Sequence, residues 1–152
     1  MADTDAKLPK PFAKMAEDYY VSLFDHLPAN PLARMKLGIE VNPEFTKALE
    51  EFRAAAVLDG ALDDKTKQLI SVAFLAARAS AGTYFHAKAA RKFGASWAEL
   101  HKVVELAAFY TGFSAINEGG QALVRLYKEE QEAKAKRPAK GAKRAAAARA
   151  KR

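Results

Sequence analysis

Residues 80–96, "SAGTYFHAKAARKFGAS", hold the strongest candidate for chemistry in the sequence. His86 stands between a small polar turn and a run of alanines and cations that stops at Gly94. On a helix beginning near Thr83, its neighbours one turn away are Gly82 and Thr83 before it and Ala89 and Ala90 after it. Phe93 lies on the same side. So small and apolar a face predicts an imidazole at least partly buried. Such a histidine suits general acid–base work, because modest shifts in its surroundings move its charge across neutral pH. The competing reading is a core histidine satisfied by a backbone carbonyl or by the Thr83 or Tyr84 hydroxyl.

Other chemistries find less support. His86 has no acid or second histidine within one helical turn, so no metal is expected, and no cofactor motif is present. His101 is isolated, and His26, just before Leu27 and Pro28, is placed to cap carbonyls. Ser80, Ser96 and Ser114 lack a G-x-S-x-G elbow, and Gly119-Gly120 matches neither phosphate-binding glycine motif. The chain has no cysteine, which removes thiolate nucleophiles, disulfides and zinc–thiolate sites. Arg78 falls late in an otherwise apolar helix, where it needs a carboxylate partner, a helix end or an anionic ligand. Glu118, beside the glycine pair, can approach His86 only through the fold.

The elements that must position these residues read as helices. Residues 11–28 repeat apolar side chains at Phe12, Met15, Ala16, Tyr19 and Leu23, with Pro11 in a first turn and Pro28 barring continuation. Residues 30–41, "NPLARMKLGIEV", read as a short irregular connector. Asn42 then caps a helix with Pro43 at its first position and Gly60 beyond its end. "DDKTKQLISVAFLAARAS" is too continuously apolar for a surface helix and is expected at the centre of the fold. Gly82 breaks the pattern, and a short helix then ends at Gly94. Ser96 and Glu99 stand in capping-box spacing before a helix that runs to Gly112. A last helix follows, with Gly119 and Gly120 as a point of interruption. No run alternates β-branched residues, so the expected fold is a single all-α domain over residues 11–133, between a flexible N-terminus (1–10) and a basic tail (134–152). Several helices are apolar on more than one face, which points to self-association.

Charge separates the tail from the body. Nine Lys and Arg and no acid fall in residues 134–152, while the other 133 residues carry 16 cations against 18 acids, so the formal +7 belongs to the tail. Its cations are Lys134, Lys136, Arg137, Lys140, Lys143, Arg144, Arg149, Lys151 and Arg152. Such a segment binds nucleic acid or another polyanion by counterion release, or remains a solvated tail that keeps the protein soluble. The N-terminus has acids where a signal peptide needs cations, and no run approaches the roughly 20 apolar residues of a membrane span. A cytoplasmic protein is expected.

From Asp63 to Leu123 the order of features resembles the carboxymuconolactone decarboxylase and alkylhydroperoxidase-D superfamily. His86, Ala90, Gly94, Ser96, Glu99, Leu100, Tyr110 and Gly112 fall in step with its motif. The resemblance implies the family's all-helical fold around a helical hairpin, assembled as a homotrimer or hexamer. In the family's hydroperoxidase branch a Cys-x-x-Cys precedes the histidine and a glutamate relays protons. Those cysteine positions fall here at Ala79 and Gly82, or Ser80 and Thr83, and the glutamate at Lys67 or Gln68. Thiol peroxidase chemistry is therefore argued against. The decarboxylase branch, a lyase, needs no thiol: its lactone loses carbon dioxide and the remaining carbanion is protonated. The resemblance implies His86 as proton donor, supported by Tyr84, with Arg78, Thr83, Tyr110 and Glu118 binding a small carboxylate or lactone. An inert oligomeric family member and a tail-borne polyanion binder are the alternatives.

Overall fold

The computed structural model describes residues 7–58 and 60–136. The regular elements among them are all helical. Helix α1 (Lys10–Ala16) passes through a π-helical turn at Glu17–Val21 into the short α2 (Ser22–Phe24). There follow α3 (Ala29–Val41), α4 (Pro43–Val57), α5 (Asp64–Ala77), α6 (Gly82–Lys92), α7 (Trp97–Thr111) and α8 (Ser114–Lys136).

Local signals set most boundaries. The Asn42 side chain accepts from the Phe45 amide at 3.0 Å, and Asp63 accepts from the Thr66 amide at 2.8 Å. Ser96 and Glu99 close a reciprocal capping box, with bonds of 3.1 and 2.7 Å, that starts α7. Gly112, at φ 98°, ends it. The break after α5 comes earlier than Gly82. It lies at Ala79, at φ 49°, where the Ser80 and Ala79 amides reach back to the Leu75 and Ala76 carbonyls at 2.9 and 3.0 Å. Gly82 is the first residue of α6.

Two expectations fail at glycines. Residues 29–41 are not a connector but helix α3, and Gly119-Gly120 do not interrupt α8. In both cases glycine serves close packing rather than a turn. A Cβ on Gly38 would stand 2.3 Å from Thr46 Oγ1 on α4, and one on Gly119 would stand 2.7 Å from Val104 Cγ1 on α7. The missing side chain lets the helices approach. Burial then outweighs the helix propensity lost, about 1 kcal/mol per glycine.

Helices α5 to α8 form the main bundle, with α5 packed against each of the other three, as its apolar centre requires. Val72, Ala76, Ala87, Ala90, Leu100, Val104 and Leu123 are buried together there. A second core gathers Phe12, Tyr19, Tyr20, Leu23, Phe24 and Met35, and joins the bundle through Ala89 of α6. Asp25, at φ 64° past the end of α2, accepts from Lys92 Nζ at 2.6 Å and pins that segment to α6. The α6 helix is thus shared by both cores. No helix among the described residues is long and apolar enough to cross a membrane.

Candidate functional site

His86 lies in the first half of α6, where the two cores meet. Its Nδ1 is 2.8 Å from Oε1 of Gln68, a fully buried residue of α5. With the amide oxygen accepting, Nδ1 carries the proton and Nε2 keeps its lone pair. Nε2 makes no hydrogen bond among the described residues. The Phe24 ring stands edge-on to the imidazole, centroids 5.2 Å apart. Burial lowers the imidazole from 6.5 to about 4, and the charge of Arg53 adds to the effect. At pH 7 the free protein therefore holds His86 neutral.

One face of His86 opens into a cavity of about 250 Å³. Ala81, Gly82, Phe85 and His86 form one wall; Phe24, Pro28, Ala29, Asn30 and Pro31 form the other. The lining is apolar apart from His86 and Asn30. At this volume it suits a ligand below drug size.

The other residues singled out in the sequence do not line this cavity. Tyr84 is buried, but its hydroxyl donates to Glu129 on α8 and its ring faces the Arg125 guanidinium at 4.1 Å. Burial, then the Glu129 carboxylate, raise its pKa. Thr83 is buried with its hydroxyl donating to the Ser80 carbonyl at 2.7 Å, fastening the start of α6. Arg78 is exposed at the end of α5 and makes no side-chain hydrogen bond or ion pair among the described residues. Tyr110 is 79% exposed against Phe109, and Glu118 is exposed on α8. His26 caps as expected: its Nδ1 is 2.8 Å from the Phe24 carbonyl. Lys134 and Lys136 are exposed in the last turn of α8. Arg137, Lys140, Lys143, Arg144, Arg149, Lys151 and Arg152 lie outside the described residues.

The structure also brings together groups that sequence reasoning missed. Glu50 of α4 is 3% exposed. Its carboxylate accepts from Arg34 of α3 and from the Tyr20 hydroxyl, the latter at 3.2 Å, and Arg53 Nε stands 3.6 Å away. The Arg53 guanidinium lies over the Tyr19 and Tyr20 rings, 5.6 and 5.8 Å from their centroids. Both tyrosines belong to the π-helical turn, a local irregularity common at functional positions. Arg53 and Glu50 are three residues apart on α4, but Tyr20, Arg34 and Glu50 are 14 to 30 residues apart in the chain, so no local spacing could announce their meeting.

A helical bundle with a half-buried histidine near the start of its second helix, set against an amide on the helix before it, defines the class. The chain belongs to the carboxymuconolactone decarboxylase family, whose sequence profile matches residues 43–124. A candidate carboxymuconolactone decarboxylase from Burkholderia xenovorans LB400 superposes with a TM-score of 0.69 at 28% identity, over 84% of this chain and 98% of that one. A carboxymuconolactone decarboxylase family protein from Legionella pneumophila, 24% identical, shares the fold at a TM-score of 0.55, over 79% of this chain and 97% of that one. No protein of curated function matches the sequence. The matched region begins at Pro43, so the cavity wall from Phe24 to Pro31 lies outside it.

Proposed function

We propose that this protein binds and transforms a small carboxylate or lactone at the His86 cavity, by proton transfer and without thiol chemistry. The observation that carries the reading is the state of His86: Nδ1 is fixed by Gln68, while Nε2 is unpaired in a residue that lines the cavity. An imidazole so oriented can exchange one proton with a ligand through a single defined atom. A chain with no cysteine cannot form the sulfenic acid and disulfide of a thiol peroxidase.

In the decarboxylase form of this reading, the bound carboxylate leaves as carbon dioxide and the electron pair stays on the adjacent carbon. His86 Nε2 then delivers a proton to that carbon and is reprotonated from water. The free imidazole, at about 4, is too weakly basic to hold that proton at neutral pH. The substrate's own negative charge, brought into a site of low dielectric, raises it toward the working range. Proton donation is thereby tied to occupancy.

We also infer self-association. Phe74 on α5 and Phe109 on α7, with Phe113 just beyond, are 68%, 80% and 84% exposed, on two helices packed side by side. Leaving three phenylalanines in water forfeits several kcal/mol that a second copy would recover.

The reading is tested by calorimetric titration of the wild type and His86→Ala with small carboxylic acids and lactones. Binding to the wild type that His86→Ala abolishes or sharply weakens is expected. Equal binding to both removes His86 from the site. Absence of binding leaves a family member without this activity.

A further inference from the structure

The cavity beside His86 holds a second polar side chain with no structural work to do. Asn30, exposed in the first turn of α3, lines the cavity on the wall opposite that of His86. Asparagine is an unfavourable residue inside a helix, and its usual place at a helix start is the cap, where its oxygen accepts a backbone amide. Here Pro28 holds the cap position and no side chain caps the helix. The Asn30 side chain makes no hydrogen bond among the described residues. It gives the start of α3 nothing that alanine would not. The wall that carries it is nonetheless fixed. Pro28 and Pro31 restrict the backbone on either side of it, and α3 is anchored by fully buried Met35 and by the ion pair of Arg34 with Glu50. An unpaired amide on a rigid wall, facing the wall that carries an unpaired imidazole nitrogen, makes a preorganised pair of hydrogen-bonding groups.

We propose that Asn30 is a specificity-determining residue of the His86 cavity, and that its side-chain amide donates a hydrogen bond to an uncharged carbonyl oxygen of the ligand, such as that of a lactone ring. This deepens the functional reading above and rests on it. The chemistry of the lining selects the partner. A neutral amide N–H suits a neutral carbonyl, whereas a carboxylate draws the shorter, stronger bonds of charged donors. Among the described residues no Lys or Arg lines this cavity. The Phe24 and Phe85 rings, centroids 6.3 Å apart, and the two prolines offer apolar surface to the body of a small ring. His86 Nε2 then addresses one end of the ligand, and Asn30 the carbonyl at another. Asn30 precedes Pro43, where the region shared with the family begins, so this contact belongs to the chain's own N-terminal segment rather than to the common bundle.

The probes are γ-butyrolactone and tetrahydrofuran, the same ring with and without the carbonyl, titrated into isotope-labelled protein and followed by NMR at the Gly82 and His86 amides. The wild type is expected to bind the lactone several-fold more tightly than the ether. In Asn30→Ala the lactone affinity is expected to fall about fivefold, the effect of one neutral hydrogen bond, while the ether binds as before. Asn30→Asp keeps the shape of the side chain without its donor and is expected to lose the same preference. Its melting temperature should hold or rise, because an acid in the first turn favours the helix, so weaker binding there is not a fault of folding. Lactone affinity unchanged in Asn30→Ala, or an equal fall for lactone and ether, overturns the role of Asn30; the His86 reading stands if His86→Ala still weakens the lactone. A wild type that binds both probes alike, or neither, also overturns it. The His86 reading falls with it only if the larger acids and lactones fail to bind as well.

Discussion

Holding a neutral histidine beside a cationic cluster makes stability depend on pH in a defined window. The folded protein keeps His86 at about 4 against 6.5 for the unfolded chain, so between these values the unfolded state binds the extra proton. Stability from this group is full above pH 6.5. It is lost as pH falls toward 4, below which both states are protonated and the loss is complete. A difference of about 2.5 units at 1.36 kcal/mol each gives about 3 kcal/mol, with a slope approaching 1.4 kcal/mol per pH unit in mid-window. Against a typical domain stability of about 5–15 kcal/mol this is a large fraction. The assay is urea denaturation at closely spaced pH values for the wild type and His86→Gln. Carboxylates titrating in the same range cancel in the difference. The variant loses the bond to Gln68 at every pH, a constant offset. The difference between the two proteins should therefore narrow steadily on acidification from pH 6.5 to 4. A difference that stays flat across that window would refute the buried, neutral imidazole.

Two further predictions concern packing. Gly119→Ala forces a Cβ to within 2.7 Å of Val104 Cγ1 and 3.1 Å of Ala76 Cβ, so despite better helix propensity it should destabilise the protein by about 1–3 kcal/mol in chemical denaturation; a neutral or stabilising result would show that α8 has room to move. Light scattering should give a particle larger than the 16.6 kDa chain, and Phe113→Glu should shift it toward that mass. A wild type that runs as a monomer would contradict the inferred assembly.

What could be read in the sequence was what neighbouring residues decide together. Asn42, Ser96 with Glu99, and Gly112 announce their helix ends because each acts within four residues of itself. The apolar centre of α5 announced its place in the core for the same reason. Gly119 misled, since glycine as a breaker and glycine as a contact point look alike until the facing helix is known. His86 stood out in the sequence as a candidate, but its partner did not. Thr83 and Tyr84 were the nearest hydroxyls in sequence, yet helical geometry turns them to the Ser80 carbonyl and to Glu129. The imidazole found Gln68, 18 residues away. The cluster of Glu50, Arg34, Arg53 and Tyr20 depends on three separate helical segments meeting, and no single one of them carries that information.

The central claim, a ligand site at His86, is tested most directly by melting temperatures of the wild type and His86→Ala across a panel of small carboxylic acids and lactones. A ligand that binds only the folded state stabilises it by about 2.7 kcal/mol at a hundredfold excess over its dissociation constant, a shift of several degrees for a chain of this size. The account predicts that at least one acid or lactone raises the wild-type midpoint and leaves that of His86→Ala where it was. A panel that moves neither protein, or moves both equally, would contradict it.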